Sequence, residues 1–202
     1  IEVADEFQNY MKNNPRFFKE DRMADMSMNK LYSCLFLRDY INGSIYAEEC
    51  EKLFNYRSIN WLIFRENHFL LCMHTSNYEK AESIYQQVIH HPDFENYPQN
   101  NIEKWKIYEA YLAFVRQPSA SSNENKFNLS KFMNEVVVFT KDKAGYNLTV
   151  LIAQIILSLK HGNNDKVVEK NEALKLYLSR HIKKERNPRS YYFLKMLQVL
   201  IR

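Results

Sequence analysis

Glycine and proline are scarce in this chain of 202 residues, with 3 and 5 copies respectively. Folds rich in strands or loops need many tight turns, and such turns depend on these two residue types. The shortage also leaves no material for a phosphate-cradling loop, and the sequence contains neither a nucleophile elbow nor a dinucleotide-binding fingerprint. The composition therefore predicts an all-α fold and gives no sign of the common phosphate-binding or acyl-transfer enzymes.

Cysteine is rare as well, and the three copies, Cys34, Cys50 and Cys72, lie far apart within apolar helical patterns. An odd count without a C-x-x-C spacing indicates buried reduced thiols rather than a disulfide framework. No signal peptide is visible, so we expect a cytoplasmic protein.

Long hydrophobic runs are also missing. The longest apolar stretch, 148–159, covers about 12 residues and is interrupted by polar side chains, whereas a membrane-spanning helix needs about 20. This stretch predicts a fully buried helix, and we expect no membrane partner.

What the chain does have is helical periodicity, with 46% hydrophobic and 14% aromatic residues. Candidate turns at Gly43, Ser76, Ser119 and Gly162 recur at a rough period and separate stripes of apolar residues at helical spacing. The pattern predicts four helical hairpins: 28–41 with 44–56, 58–75 with 77–91, 100–116 with 128–140, and 144–161 with 163–182. Short helices occupy 1–27, the second of them over 16–26, and a terminal helix occupies 187–202. At the first turn, Gly43 is expected to end one helix in the left-handed conformation and Ser44 to cap the next.

Recurring helical hairpins are typical of an α-solenoid, so we expect one helical-repeat domain over 1–202, wound as a right-handed superhelical stack of antiparallel pairs. The terminal helix is apolar around most of its circumference, whereas the last helix of such an array normally has a polar outer face. We therefore expect it to be the first arm of a fifth hairpin. Either the natural chain continues past residue 202, or this helix supports self-association.

The segment 77–92 resembles the second helix of a tetratricopeptide repeat. The family places an aromatic residue three positions before a small alanine, another aromatic four after it and a proline near the end, and here these are Tyr78, Ala81, Tyr85 and Pro92. The other hairpins keep the period without the motif. The resemblance implies a TPR-like fold and a protein-interaction scaffold.

Metal and acid–base sites are not indicated by the six histidines, since no H-E-x-x-H occurs and neighbouring pairs such as His90 and His91 point in different directions on a helix. We accordingly predict no metal, no cofactor and no catalytic residue.

A polar group, Arg65-Glu66-Asn67-His68, interrupts the otherwise apolar first helix of the second hairpin. Four consecutive helical residues sweep a full turn, so at least one must face a groove or a buried partner. First helices line the concave surface of TPR-like arrays, which makes Glu66 and Asn67 candidate ligand contacts. His74, Glu109, Arg116 and Lys160 are further candidates for the same surface. The alternative is an ordinary solvent face with one internal ion pair.

The carboxyl-terminal part of the chain is basic, because residues 160–202 contain 11 Lys or Arg against 4 Asp or Glu. Lys183, Lys184, Arg186 and Arg189 precede the terminal helix, beside the aromatic pair at 191 and 192. Clustered cations and aromatic rings suit nucleic acid or an acidic protein partner. The competing interpretation is a solvated loop.

Together these features predict a non-catalytic scaffold that binds a protein or peptide segment in a concave groove. Two alternatives stay open: a helical-repeat protein that binds nucleic acid through its basic segment, and a helical regulatory domain of a larger protein.

Overall fold

A computed structural model describes residues 1–56, 59–116, 127–135 and 146–201, apart from the side chains of residues 59, 134 and 135. Within these ranges every regular element is helical, which confirms the all-α prediction. The chain forms two compact units, Ile1–Phe94 and Glu95–Arg202. The superhelical TPR-like arrangement stays a prediction.

The first unit contains five helices: α1 (Glu2–Asn13), α2 (Glu20–Leu37), α3 (Tyr40–Leu53), α4 (Ile59–His74) and α5 (Tyr78–Ile89). The helix α2 packs along α3, α4 packs along α5, and α4 also contacts both α2 and α3. Leu31, Ala47, Cys50, Phe64 and Leu71 form the core where α2, α3 and α4 meet. Because α4 packs against α2, α3 and α5, two of its polar side chains, Arg65 and His68, are buried inside the unit.

The second unit contains α6 (Gln99–Val115), α7 (Leu129–Glu135), α8 (Tyr146–Lys160), α9 (Asn164–His181) and α10 (Pro188–Leu200), and a short 3-10 turn at Phe94–Asn96 comes before α6. The helix α8 packs against α6 and α9, and α10 packs on α9. As expected from the apolar stretch 148–159, α8 supplies buried residues to both core clusters of this unit, among them Ala153, Ile155 and Leu157. The predicted turn at Ser119 and the predicted end of α7 at residue 140 lie outside the described residues.

Three hairpins are closed by the same local device, a residue in the left-handed conformation followed by an Asp or Asn that caps the next helix. The left-handed residues are Arg38, Ser76 and Gly162, with φ of 62°, 58° and 68°. The capping residues Asp39, Asn77 and Asn163 each accept a hydrogen bond from the backbone N–H three residues later. In each case the capping residue's own N–H also bonds the carbonyl five residues earlier, which completes a Schellman turn. The turns predicted near Ser76 and at Gly162 are confirmed.

The turn predicted at Gly43 is wrong, and so are the hairpin limits that depended on it. Gly43 lies inside α3, and the chain turns five residues earlier, where Arg38 takes the left-handed conformation. Ser44 does not cap a helix but donates a hydrogen bond back to the Tyr40 carbonyl at 2.9 Å. A Cβ atom on Gly43 would lie 3.2 Å from Leu71 Cδ1 and 3.4 Å from Cys34 Cβ. This glycine therefore serves close packing of α3 on its neighbours rather than a turn.

The predicted short helix over 16–26 is also absent, because α2 runs without a break from Glu20 to Leu37. Its first half is held by polar contacts with α1 that the apolar pattern did not reveal. Gln8 of α1 donates to the Ser27 hydroxyl at 2.9 Å, and Lys30 of α2 donates to Gln8 and pairs with Asp5.

Candidate functional site

A polar cleft of about 220 Å³ opens in the first unit between α3, α4 and α5. Its lining combines carboxylates, an ammonium group, an imidazole, a thiol and three small polar side chains: Ser44, Glu48, Glu51, His68, Leu71, Cys72, Thr75, Asn77 and Lys80. The turn between α4 and α5 contributes its cap, Asn77, so the hairpin geometry itself shapes one wall. The volume suits a small polar group, since a water molecule occupies about 30 Å³ in the liquid.

His68 is the most unusual member of this lining. Its residue is only 7% exposed, and its Nδ1 atom has no hydrogen-bond partner among the described residues. The ring lies 5.5 Å from that of Phe64. Burial lowers the pKa of His68 to about 4; the charge of Glu51 opposes this shift, and the charges of Lys80 and Arg65 add to it. The imidazole is therefore neutral near pH 7 and carries one ring nitrogen whose hydrogen-bonding capacity is unused.

Glu51 organises the charges around the cleft. One of its oxygens accepts hydrogen bonds from Arg65 Nη1 at 2.9 Å and from Lys80 Nζ at 3.2 Å. Burial alone would raise the pKa of Glu51, but these two hydrogen bonds hold it below its usual value. The carboxylate therefore stays ionised and joins α3 to both α4 and α5.

Arg65 lies behind the cleft rather than in its lining. Its guanidinium carbon is 5.2 Å from the Trp61 ring and 5.1 Å from the Phe64 ring, and its Nε atom has no hydrogen-bond partner among the described residues. Glu51 and the two aromatic rings thus compensate a largely buried charge.

The charges around the cleft cancel. Glu48 and Glu51 supply two negative charges, and Arg65 and Lys80 supply two positive ones, while His68 is neutral. The lining residues alone carry one net negative charge, and Arg65, which lies behind the cleft on Glu51, brings the sum to zero.

Cys72 and His68 stand one helical turn apart on α4, the spacing at which a thiol could meet a general base. Burial raises the pKa of the Cys72 thiol to about 11, and it lowers that of His68 to about 4. A cysteine nucleophile needs the opposite shifts, towards thiolate and imidazolium. At neutral pH both groups are uncharged, so their surroundings favour hydrogen bonding over nucleophilic chemistry.

The polar residues that α4 buries are not the two that the sequence favoured, and of the four only His68 lines the cleft. Arg65 and His68 are buried, whereas Glu66 and Asn67 are half-buried and do not line the cleft. The Asn67 amide donates to the Ile63 carbonyl of its own helix at 3.1 Å. His74 is exposed and stacks on Tyr40, with ring centroids 5.3 Å apart and planes 11° apart.

Lys160 has a structural role that sequence patterns did not suggest. Its ammonium group donates to the carbonyls of Ala113, Phe114 and Arg116 at 2.9, 2.6 and 2.8 Å. These carbonyls lie at the end of α6, where a cation both caps the helix and complements its dipole. Arg116 provides one of these acceptors, and Glu109 is half-buried on the same helix.

The basic residues Lys183, Lys184, Arg186 and Arg189 are all exposed, around the start of α10. Lys184 Nζ lies 5.4 Å from the centroid of the Tyr192 ring. A hydrogen bond involving Tyr192 raises the pKa of Lys184. The edge of Tyr192 also meets Tyr191, with centroids 5.5 Å apart, so both rings already have neighbours within the chain.

The described part of the chain contains no group of three or more His, Cys, Asp or Glu side chains placed to hold a metal ion. Among the helices of those same ranges, none is both long enough and apolar enough to cross a membrane.

Comparison with known families, with curated proteins and with solved structures gave no match to this chain. The resemblance of 77–92 to a tetratricopeptide repeat therefore stays a prediction from the residues themselves, although Ala81 is fully buried and Tyr85 nearly so, as that motif implies.

Proposed function

We propose that this protein is a non-catalytic scaffold that binds a peptide or protein segment, and that the cleft between α3, α4 and α5 holds one side chain of it. The observation that carries the proposal is the open, polar cleft lined by His68, whose buried Nδ1 has no hydrogen-bond partner among the described residues. A buried polar atom without a partner costs about 1–3 kcal/mol. Because this atom is closed off from solvent, a ligand reaches it only when the ring turns towards the cleft, and the new hydrogen bond then recovers part of that cost.

The lining defines the chemistry of the group that is held. Lys80 and the Asn77 amide can donate, the free oxygens of the carboxylates can accept, and the neutral imidazole of His68 can do either. A carboxamide carries one acceptor and two donors without net charge, so the side chain of Asn or Gln fits the lining. An uncharged ligand also leaves the Glu51 ion pairs in place.

The opposed pKa shifts of Cys72 and His68 support binding rather than catalysis. Both groups stay neutral at the pH where a cysteine nucleophile would have to be ionised. The cytoplasmic location expected from the free, buried cysteines belongs to the same proposal.

Selection from a random peptide library displayed on phage tests this function. We expect the wild-type protein to enrich a family of peptides that share an Asn or Gln. The His68→Leu variant should bind these peptides at least tenfold more weakly, because it removes the ring nitrogens from the cleft. The matched control is His90→Leu, which changes an exposed histidine of the same unit outside the cleft. Peptides that bind wild type and His68→Leu equally would refute the assignment of the cleft.

A further inference from the structure

The outer face of α10 is a largely exposed apolar stripe, with Lys184 lying against Tyr192 at one end of it. Tyr192, Phe193, Met196, Val199 and Leu200 are between 44% and 68% exposed. Their spacing of i, i+1, i+4, i+7 and i+8 places them on one side of the helix. We call these five residues the α10 stripe. Scattered exposed apolar residues are ordinary, but five on one helix face form a contiguous patch.

The stripe is presented by a helix that is firmly anchored on its other side. Leu194 and Leu197 are buried in a cluster with Leu174 and Leu178 of α9 and Ile155 of α8. Turning α10 to hide the stripe would therefore expose the leucines that attach it to the unit. The packing of Leu194 and Leu197 against α8 and α9 therefore keeps the α10 stripe on the outside of the unit.

A dense positive charge lies at one end of the stripe. Between Arg180 and Lys195 the chain has six Lys or Arg and a single acid, Glu185. Most of these cations precede or begin α10, and Lys184 lies against Tyr192, the first residue of the stripe. The surface thus combines an apolar helix face with a cationic end.

We propose that the α10 stripe and its basic end dock an acidic amphipathic helix of a partner protein. The apolar side of such a helix would cover the five side chains, and its carboxylates would meet the cations near residues 183–189. Helix pairing through i, i+3, i+4 and i+7 anchors is a common mode of peptide recognition. Complementary charge fixes the register and speeds association.

Other occupants fit this surface less well. A second copy of the chain could cover the apolar stripe, but its own α10 would bring no carboxylate to the basic end, because residues 190–202 contain no Asp or Glu. A nucleic acid would neutralise the cations but leave Met196, Val199 and Leu200 without apolar partners. A helix that lies in an anionic membrane surface carries basic residues along its flanks. Here the cations are concentrated at one end of the helix.

Fluorescence anisotropy with a labelled synthetic peptide tests the proposal. The probe is an amphipathic helix with Leu on one face and Glu elsewhere, and the comparison probe has Lys in place of every Glu. We expect the acidic probe to bind at least tenfold more tightly than the basic one, with an affinity that falls as salt is added. The double variants Met196→Ser/Val199→Ser and Lys183→Glu/Arg186→Glu should each weaken binding at least tenfold. The control Leu176→Ser, an exposed leucine on α9, should leave it unchanged.

Three results would overturn this proposal. Equal binding of the acidic and the basic peptide would show that charge complementarity plays no part in docking. Tighter binding of a single-stranded RNA oligonucleotide or of phosphatidylserine vesicles, lost in the same variants, would replace the partner helix by another class of ligand. A dimer in light scattering that becomes monomeric in Met196→Ser/Val199→Ser would identify a second copy as the occupant. None of these results bears on the His68 cleft, which belongs to the first unit.

Discussion

Arg65 of α4 donates a hydrogen bond to Glu51 of α3 at 2.9 Å, and this contact links two helices behind the polar cleft. The guanidinium is largely buried and the carboxylate is about one-third exposed. The pair positions Glu51 so that the same oxygen also accepts from Lys80 of α5. One carboxylate thus joins the three helices that form the cleft.

Replacing Glu51 by Gln should lower the free energy of unfolding by about 1–3 kcal/mol, because it leaves the buried charge of Arg65 without its counter-ion. The estimate is reduced from that of a fully buried pair because Glu51 is partly solvated. The measurement is a urea titration of wild type and variant. The control is Glu169→Gln, which removes the surface pairs with Lys166 and Lys170 and should cost less than about 1 kcal/mol. Equal losses of unfolding free energy in the two variants would show that the buried charge of Arg65 is not stabilised by Glu51.

The pKa of His68 predicts a loss of stability as the pH falls. Its folded value is about 4 and the ordinary value is 6.5, so the unfolded chain takes up the proton first. The stabilisation is complete above pH 6.5, is lost as the pH falls from 6.5 towards 4, and changes no further below that. The expected total is about 3 kcal/mol. Glu51, whose pKa is lowered, adds a loss of the same sign at lower pH, below its usual value of 4.5.

Urea titrations of wild type and His68→Leu across this pH range isolate the contribution of the histidine. The variant lacks the titrating group, so its stability should fall much less between pH 6.5 and 4. It should also be at least as stable as wild type at pH 7, because no unpaired polar atom is left in the interior. Parallel curves for the two proteins would contradict the burial of a neutral imidazole.

Close packing at Gly43 predicts that larger side chains are not tolerated there. In Gly43→Val the added methyl groups would press on Leu71 and Cys34, and we expect a loss of about 1–3 kcal/mol in thermal or urea unfolding. Lys52→Val places the same side chain at an exposed site of α3 and serves as control. Equal stability of the two variants would contradict close packing of α3 at Gly43.

Lys160→Met should lower the free energy of unfolding by about 1–2 kcal/mol, since three carbonyls at the end of α6 lose their donor. Methionine retains most of the apolar stem of lysine, so the difference in unfolding free energy measures the contribution of the ammonium group. Lys175→Met is the matched control, because that lysine makes only an exposed contact with Glu172. Similar stability of the two variants would argue against the cap.

The sequence predicted the helical content and the turns at Ser76 and Gly162, because apolar periodicity is a local signal. The predicted turn at Gly43 was wrong. This glycine allows Leu71 of another helix to pack closely against α3, and a contact between distant residues leaves no local pattern in the sequence. At the turn itself the left-handed residue is Arg38, a type that rarely takes this conformation.

The sequence pointed to α4 as the helix that carries a buried polar group, while the ligand contacts at Glu66 and Asn67 stay a prediction. An apolar helix interrupted by four polar residues correctly indicated an inward-facing group on α4. Which of the four turn inward depends on where α3 and α5 pack, and the structure selects Arg65 and His68 over Glu66 and Asn67. The spacing of Arg65, His68 and Cys72, at i, i+3 and i+7, was the signal available in the sequence.

NMR of the His68 imidazole can detect a hydrogen bond from this ring to an uncharged polar group. Acetamide, acetate and methylammonium serve as small probes that are neutral, negative and positive, each titrated into the protein at pH 7. We expect a saturable change in the His68 ring signals with acetamide, at roughly millimolar concentration for so small a ligand. Acetate and methylammonium should cause little change. A response to either ion that equals or exceeds that to acetamide, or no response to any probe, would contradict it.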